Sequence, residues 1–559
     1  MNLKSVRRET WIVAAILAAI VLLYFFRLGS LGFFDPDEGR YAAIPQAMLQ
    51  RGDFVVPYLE GFPYLEKPPL LYWTTAASLA VFGHNEWAGR LPVALFGLLG
   101  IGAIFLFARK RLGPVVATAG AALLALNMQW FIQARFLTTD MVLAGVMTVG
   151  ICAFFEGAET GKRRWFALLY VCCALGTLAK GFVGFVLPGL VVLLYVALTR
   201  RWRILARMGL WWGALLGAAI ALPWFLLVQR EFPDFLRWFV IDQHVSRYAG
   251  NDAEHAKPFW TFVPVLWIGF FPWIMHLPFL RRRDVAAAAP AGAEDATRRL
   301  HVYLWCWFGA IFGFFTVYSG KLISYIVPAL PPLALLAALL VARAFAPRPD
   351  GDASARLRRG SLLVAPIWLA LAVAAIVGLP WLVVRDNRMN LADVAAWPWI
   401  FGAVFGLGGL ATLVLALARR VRGALAAQAV AGAALFATMM FAASAVEPLM
   451  NPRPLGVALA KIVKPGDVVA LYQIPQPSFE FYLGRPPKLI AFAGEYRYGI
   501  GLKPNPDLYA PDEKELDRLL ASERTVYVVV DKDEFKPDRH GTPLRLVVQN
   551  TKRAVYSNR

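Results

Sequence analysis

Trp11-Ile-Val-Ala-Ala-Ile-Leu-Ala-Ala-Ile-Val-Leu-Leu-Tyr-Phe-Phe26 is followed, after a short link, by Asp35-Pro-Asp-Glu-Gly-Arg-Tyr-Ala42. The first stretch belongs to an apolar run, 10–26, long enough to cross a bilayer. The second places three carboxylates and an arginine beside that bilayer, where charge is costly to hold without a use. Together they predict a membrane protein that handles a charged molecule at the membrane surface.

The rest of the chain repeats the first pattern. Of 559 residues, 58% are hydrophobic and 17% charged, with mean hydropathy +0.54, against roughly 25% charged in soluble domains. About thirteen apolar runs approach or reach spanning length. They lie near 10–26, 91–108, 113–133, 141–156, 165–178, 182–198, 209–228, 259–280, 301–318, 323–345, 361–383, 398–418 and 424–445. The first is long for a signal segment and no small-residue cleavage site follows it, so it is expected to remain as an anchor.

The net charge is +20, from 57 basic and 37 acidic residues. The basic residues recur at alternate loops: Lys4/Arg7/Arg8, Arg109/Lys110/Arg111, Lys162/Arg163/Arg164, Arg200/Arg201/Arg203/Arg207, Arg281/Arg282/Arg283, Arg356/Arg358/Arg359 and Arg419/Arg420/Arg422. That periodicity is the positive-inside pattern. It makes the charge a matter of topology and of contact with membrane lipids, and no nucleic-acid partner is expected. The N-terminus is expected inside and, with an odd span count, the C-terminus outside. Cys152, Cys172, Cys173 and Cys306 all fall in apolar runs without metal-site spacing, and packing is their expected role.

The expected fold class is a polytopic α-helical membrane protein with a small C-terminal soluble α/β domain. Residues 1–446 form the membrane domain, with outside loops 27–90 and 229–258. Residues 447–559 form the second domain. Its strand-like runs are Asp467-Val-Val-Ala-Leu-Tyr472, Thr525-Val-Tyr-Val-Val-Val530 and Leu544-Arg-Leu-Val-Val548, and 513–522 is helix-like. Within the first outside loop, Ile44-Pro-Gln-Ala-Met-Leu-Gln50 and the apolar run 69–82 are expected to lie in the membrane interface as helices. The chain shows no nucleotide-binding loop and no internal repeat.

The outer ends gather the chemistry. Asp35, Asp37 and Glu38 precede a helix, and capping explains one of them. Arg40 stands three residues after Asp37. Tyr64-Leu-Glu-Lys67 offers Lys67 as a point charge for a phosphate and Glu66 as a ligand for a divalent cation or a sugar hydroxyl. Asp140, in Arg135-Phe-Leu-Thr-Thr-Asp140, lies at the same outer face as Asp37, with an N-cap as its competing role. His244 and His255 have no compact metal spacing, though His255 is a candidate to join Glu66 at an assembled ion site. Lys321 and Tyr325 are four apart, as on one helix face. Arg40, Lys67, Lys180, Arg247, Lys257 and Lys321 thus surround Asp37 and Asp140, which suits an anionic group such as a lipid phosphate.

Seven segments in order resemble one family. They are Asp35-Pro-Asp-Glu-Gly-Arg-Tyr-Ala42, Glu66-Lys-Pro-Pro69, Leu137-Thr-Thr-Asp140, Leu178-Ala-Lys-Gly-Phe182, His244-Val-Ser-Arg-Tyr248, His255-Ala-Lys-Pro-Phe-Trp260 and Gly320-Lys-Leu-Ile-Ser-Tyr325. The chain resembles GT-C membrane glycosyltransferases that use polyprenyl-phosphate-linked sugars. Within them it is similar to the lipid A 4-amino-4-deoxy-L-arabinose transferases and their protein O-mannosyltransferase relatives.

The resemblance implies an undecaprenyl-phosphate-linked aminosugar donor, a lipid A acceptor, and polymyxin resistance as the outcome. It implies a bacterial inner-membrane enzyme working on the periplasmic face, with the C-terminal domain on that side. Asp37 would be the catalytic carboxylate, Asp140 a second acid, and Glu66 a ligand for a divalent ion such as zinc, magnesium or manganese. Arg40, Lys67 and Arg247 would bind the carrier phosphate, with Tyr64, Lys321 and Tyr325 completing the binding set. Transfer with inversion is expected, because no covalent nucleophile is evident. The competing expectations are transfer to a protein hydroxyl and a flippase for lipid-linked sugars. The flippase is disfavoured because the polar residues gather in outer loops and not at the membrane midplane.

Overall fold

The computed structural model describes residues 3–246, 257–290, 292–346, 350–386, 394–539 and 541–559. Among them, eight helices are long and apolar enough to cross a membrane, and a bent pair, Phe259–Gly269 with Trp273–Phe279, makes a ninth span broken by 104°. Shorter apolar helices stand at Thr10–Phe25, Pro114–Ala125 and Val183–Thr199, and Arg163–Lys180 is an 18-residue helix between them. Each of the thirteen expected runs therefore coincides with a helical segment. This is a polytopic helical membrane protein.

Two runs depart from simple spans for local reasons. The third breaks at Asn127, whose side chain leaves the helix to cap a new turn by accepting from the Trp130 N–H. The eleventh begins earlier than its apolar stretch, at Gly351, so Arg356 is helical and not in a loop. Its guanidinium is buried against Asp284 at 2.6 and 2.7 Å.

The C-terminal segment folds as a sheet with flanking helices. Strands β3 (Val468–Tyr472), β4 (Lys488–Ile490), β5 (Tyr509–Ala510), β6 (Val526–Asp531), β7 (Arg545–Gln549) and β8 (Arg553–Ser557) are ordered β5-β4-β3-β6-β8-β7. The first four run parallel, with Val469 opposite Tyr527, and β8 and β7 are antiparallel. Parallel strands need both faces covered. Leu516 and Leu520 of helix Lys514–Leu520 cover one, packing with Val526, Val528 and Val530.

Both expected helices of the first outside loop form, and each is packed against the rest of the protein. Helix Asp37–Arg51 is buried on nearly every side, from Glu38 to Met48. Helix Leu70–Phe82 buries Leu71, Tyr72, Thr75, Ala76, Ser78 and Leu79. Leu70–Phe82 packs on Asp37–Arg51 and on helix Glu86–Leu112, while the C-terminal domain covers Asp37–Arg51 with its helix Ser478–Leu483. The approach is close enough that a Cβ on Gly39 would sit 2.6 Å from the Ser478 nitrogen. A short hairpin, β1 (Tyr58–Leu59) with β2 (Phe62–Pro63), connects the two loop helices.

Candidate functional site

The first turn of helix Asp37–Arg51 divides the three acids among three tasks. Asp35 accepts from the Ser478 N–H at 2.9 Å and from the Ser478 hydroxyl. It therefore docks the C-terminal domain. Burial raises its carboxyl to about 7, against the lowering effect of the two Ser478 bonds. Glu38 is fully buried and grips Arg90 through two 2.7 Å bonds. It also accepts from the Phe34 and Leu137 amides. Only Asp37 faces solvent, with 54% of its side chain exposed and Arg40 at 3.8 Å.

Arg40 is drawn away from Asp37. Its guanidinium donates to the Tyr64 hydroxyl at 2.9 Å and pairs with Glu495 at 2.6 Å. Glu495 comes from the C-terminal domain, so the site is completed across 455 residues of chain. Burial pushes the Glu495 carboxyl up, and the Arg40 charge opposes that. The Tyr64 hydroxyl links onward to Glu66 at 3.3 Å.

Beyond Tyr64 lies a cavity of ≈ 90 Å³ lined by Glu66, Lys67, Asp140, Leu143, Lys180, Val183, Gln243, Phe315, Tyr318 and Tyr325. Three segments supply its charged side chains. Glu66 and Lys67 come from the loop before Leu70, and their side chains are 3.8 Å apart. Asp140 stands in the first turn of helix Thr139–Thr160, and Lys180 ends helix Arg163–Lys180. These two form an ion pair, with the Lys180 ammonium 4.4 Å above the Tyr325 ring. Buried Tyr41 stacks on Tyr72, with the Arg40 guanidinium 5.7 Å from its ring centroid.

The structure thus unites Glu66, Lys67, Asp140 and Tyr325 at one cavity, with Tyr64 and Arg40 behind it and Asp37 beside it. Lys321 is different. It is 2% exposed, donates to the Tyr318 carbonyl, and does not line the cavity. It precedes the 3-10 helix Ile323–Ala329, so it does not share a helical face with Tyr325. Arg247 and His255 lie outside the described residues. Among the described residues, no group of three or more His, Cys, Asp or Glu side chains is placed to hold a metal ion. Sequence reasoning placed Lys180 on the outer face without pairing it to Asp140, and it missed Gln243, Tyr318, Tyr41 and Glu495. Arg135 of the Asp140 motif has a structural task, closing the first helix by donating to the Tyr24 and Phe26 carbonyls at 2.7 Å.

The family model for dolichyl-phosphate-mannose-protein mannosyltransferase matches residues 66–226, from Glu66 through the helices bearing Asp140 and Lys180. The undecaprenyl phosphate-alpha-4-amino-4-deoxy-L-arabinose arabinosyl transferase of Edwardsiella ictaluri is 31% identical over 409 residues, covering 70% of this chain and 71% of that protein. The protein of the same description from Pseudomonas aeruginosa is 34% identical over 388 residues, 68% of this chain and 66% of that one. The crystal structure of ArnT from Cupriavidus metallidurans bound to undecaprenyl phosphate superposes with a TM-score of 0.85 at 27% identity, covering 98% of each chain.

A polytopic helical fold that gathers carboxylates and ammonium groups at the ends of its spans, under a pinned α/β domain, defines a membrane glycosyltransferase using a polyprenyl-phosphate-linked sugar. Within that class, the chain belongs to the undecaprenyl phosphate-alpha-4-amino-4-deoxy-L-arabinose arabinosyl transferase family.

Proposed function

We propose that this chain transfers 4-amino-4-deoxy-L-arabinose from undecaprenyl phosphate to a phosphate of lipid A, at the periplasmic face of the bacterial inner membrane. In this reading the N-terminus is cytoplasmic and the C-terminal domain periplasmic. The observation that carries it is the cavity joining Lys67 and Lys180 to Glu66 and Asp140 at the ends of membrane-spanning helices. The family membership supports the sugar and its carrier.

The leaving group is the carrier phosphate, and negative charge grows on it as the glycosidic bond breaks. Lys67 supplies the opposing charge in a site partly closed to water, where such stabilisation is strong. Arg247 and Arg40 are proposed to assist it. The sugar carbon gains positive charge, which a carboxylate stabilises. Asp140 is shared with Lys180, whereas Asp37 is exposed and only loosely held by Arg40. Asp37 is therefore assigned to the sugar, at its reacting carbon or its amine. An acceptor phosphate is already a nucleophile and needs no general base; a hydroxyl acceptor would need a carboxylate to take its proton. Displacement then proceeds with inversion.

The divalent ion expected at Glu66 and His255 stays a proposal. Glu66 is one carboxylate shared with Lys67 and Tyr64, and the steps above run through this chain's own side chains alone. Exhaustive dialysis against a chelator, followed by metal analysis and activity assay, tests it.

The test of function is mass spectrometry of lipid A from cells expressing the wild type or Asp37→Ala. One added aminopentose per modified phosphate, absent in the variant at equal expression, is the expected result. Unmodified lipid A with the wild-type protein present would overturn the acceptor and turn attention to a hydroxyl acceptor, as in the mannosyltransferase family matched over 66–226.

A further inference from the structure

A second cavity lies at the opposite end of the helices that frame the first. In helix Val183–Thr199, Val183 lines the catalytic cavity while Leu194 and Leu198 line the other. In helix Glu294–Val317, Phe315 faces the catalytic cavity and Arg298 the other. At 1.5 Å per residue, the 17 residues Val183–Thr199 separate the two ends by about 25 Å. The second cavity measures ≈ 760 Å³.

Its walls are of two kinds. Leu194, Leu198 and Val302 form an apolar side, while Arg282, Arg283 and Arg298 form a cationic one, with Glu294 as the carboxylate among the lining residues. Trp305 stands at the rim, 43% exposed, as indoles do at the boundary between lipid and water.

The arginines around this cavity are mostly committed. Arg281 and Arg283 pair with Asp352, Arg201 and Arg299 with Glu159, and Arg356 with Asp284. Arg282 and Arg298 have no carboxylate partner among the described residues, and Glu294 accepts from the Gly292 amide instead. Two unneutralised guanidinium groups facing an apolar wall fit an anion that carries its own apolar tail. A soluble anion would leave the leucine side uncovered, and a neutral lipid would leave the arginines unmatched. Arginine's planar fork suits a phosphate diester, and basic pockets between spanning helices are where anionic headgroups settle.

We propose that this cavity binds an anionic phospholipid, with its phosphate held between Arg282 and Arg298 and its acyl chains along Leu194, Leu198 and Val302. The site is separate from the catalytic cavity and does not depend on which sugar or acceptor that cavity serves.

Native mass spectrometry of the full-length chain, released from detergent and titrated with phosphatidylglycerol, phosphatidylcholine or inorganic phosphate, tests it. Phosphatidylglycerol is expected to remain bound where phosphatidylcholine is lost. The double variant Arg282→Gln/Arg298→Gln is expected to lower its retention about tenfold or more. Glu294→Gln removes the competing carboxylate and is expected to raise retention; this variant carries the test if the double variant does not fold. Equal retention of the two lipids, or lipid retention unchanged in these variants, overturns the proposal. Displacement of phosphatidylglycerol by inorganic phosphate also overturns it, by showing a site for a soluble anion.

Discussion

Glu38 with Arg90, and Asp140 with Lys180, are built from the same chemistry within one molecule, yet they are opposite designs. Arg90 uses all five of its N–H groups, on Glu38 and on the Leu28, Leu31 and Gly32 carbonyls. Glu38 answers with backbone amides on its remaining lone pairs. Nothing is left for a ligand. Asp140 and Lys180 line a cavity whose other groups, Glu66 and Lys67, stand 3.8 Å apart. A saturated ion pair holds a loop, while an unsaturated one keeps capacity for a substrate.

The comparison breaks most decisively at the saturated pair. Glu38→Ala leaves the Arg90 charge buried without its partner, and such a loss costs about 3–5 kcal/mol. The expected outcome is a large fall in the apparent Tm in detergent, or no folded protein, whereas removal of exposed Asp37 is expected to leave Tm near wild type. A Tm close to wild type would mean that burial and saturation do not mark structural pairs here.

The reverse outcome is expected in the cavity. Lys67→Ala and Asp140→Asn should leave Tm nearly unchanged. Loss of the Lys67 charge that stabilises the transition state lowers turnover by roughly 10²–10³-fold, and Asp140→Asn, which frees Lys180 from its partner, is expected to lower it less. For Lys67 the fall should appear in kcat and kcat/KM alike, because the leaving phosphate gains its charge only as the bond breaks. A rise in KM with unchanged kcat would recast Lys67 as a ground-state anchor.

Much of this was legible in the chain, for physical reasons that also explain what was not. Spans show because apolar length is a property of consecutive residues. Strands β3, β6 and β7 show because each is a five- or six-residue apolar or alternating run. Strands β4 and β5, of three and two residues, exist through their neighbours and carry no local signal. Asp37, Lys67 and Asp140 could be placed on one face from topology. Pairing Asp140 with Lys180, forty residues on, needed the packing of two helices. Glu495 was out of reach, because it lies beyond the seven motif segments and its meaning comes from Arg40. Residues 44–50 read as a helix from their own pattern, but that another domain covers helix Asp37–Arg51 is set by residues more than 400 positions away.

The smallest effect expected concerns that covering domain. Asp35 and Glu480 both lie where it meets the first loop, and Glu480 accepts from the Glu60 N–H at 2.5 Å. Burial raises each carboxyl to about 7, from ordinary values of 3.8 and 4.5, more than their hydrogen bonds lower it. The docked state therefore holds protons more tightly than the undocked one. Docking is strongest below the ordinary values, weakens as pH rises toward 7, and levels off above it. Between pH 6 and 8 each carboxyl should reduce docking about tenfold. Hydrogen exchange of helix Ser478–Leu483, corrected for the intrinsic pH dependence, reads this directly. Glu480→Gln, which stays neutral and keeps an acceptor for the Glu60 amide, should remove its share of the slope and leave that of Asp35. A slope unchanged in Glu480→Gln would show that Glu480 does not titrate at this seam, and a rise of protection with pH would show carboxylates held charged there.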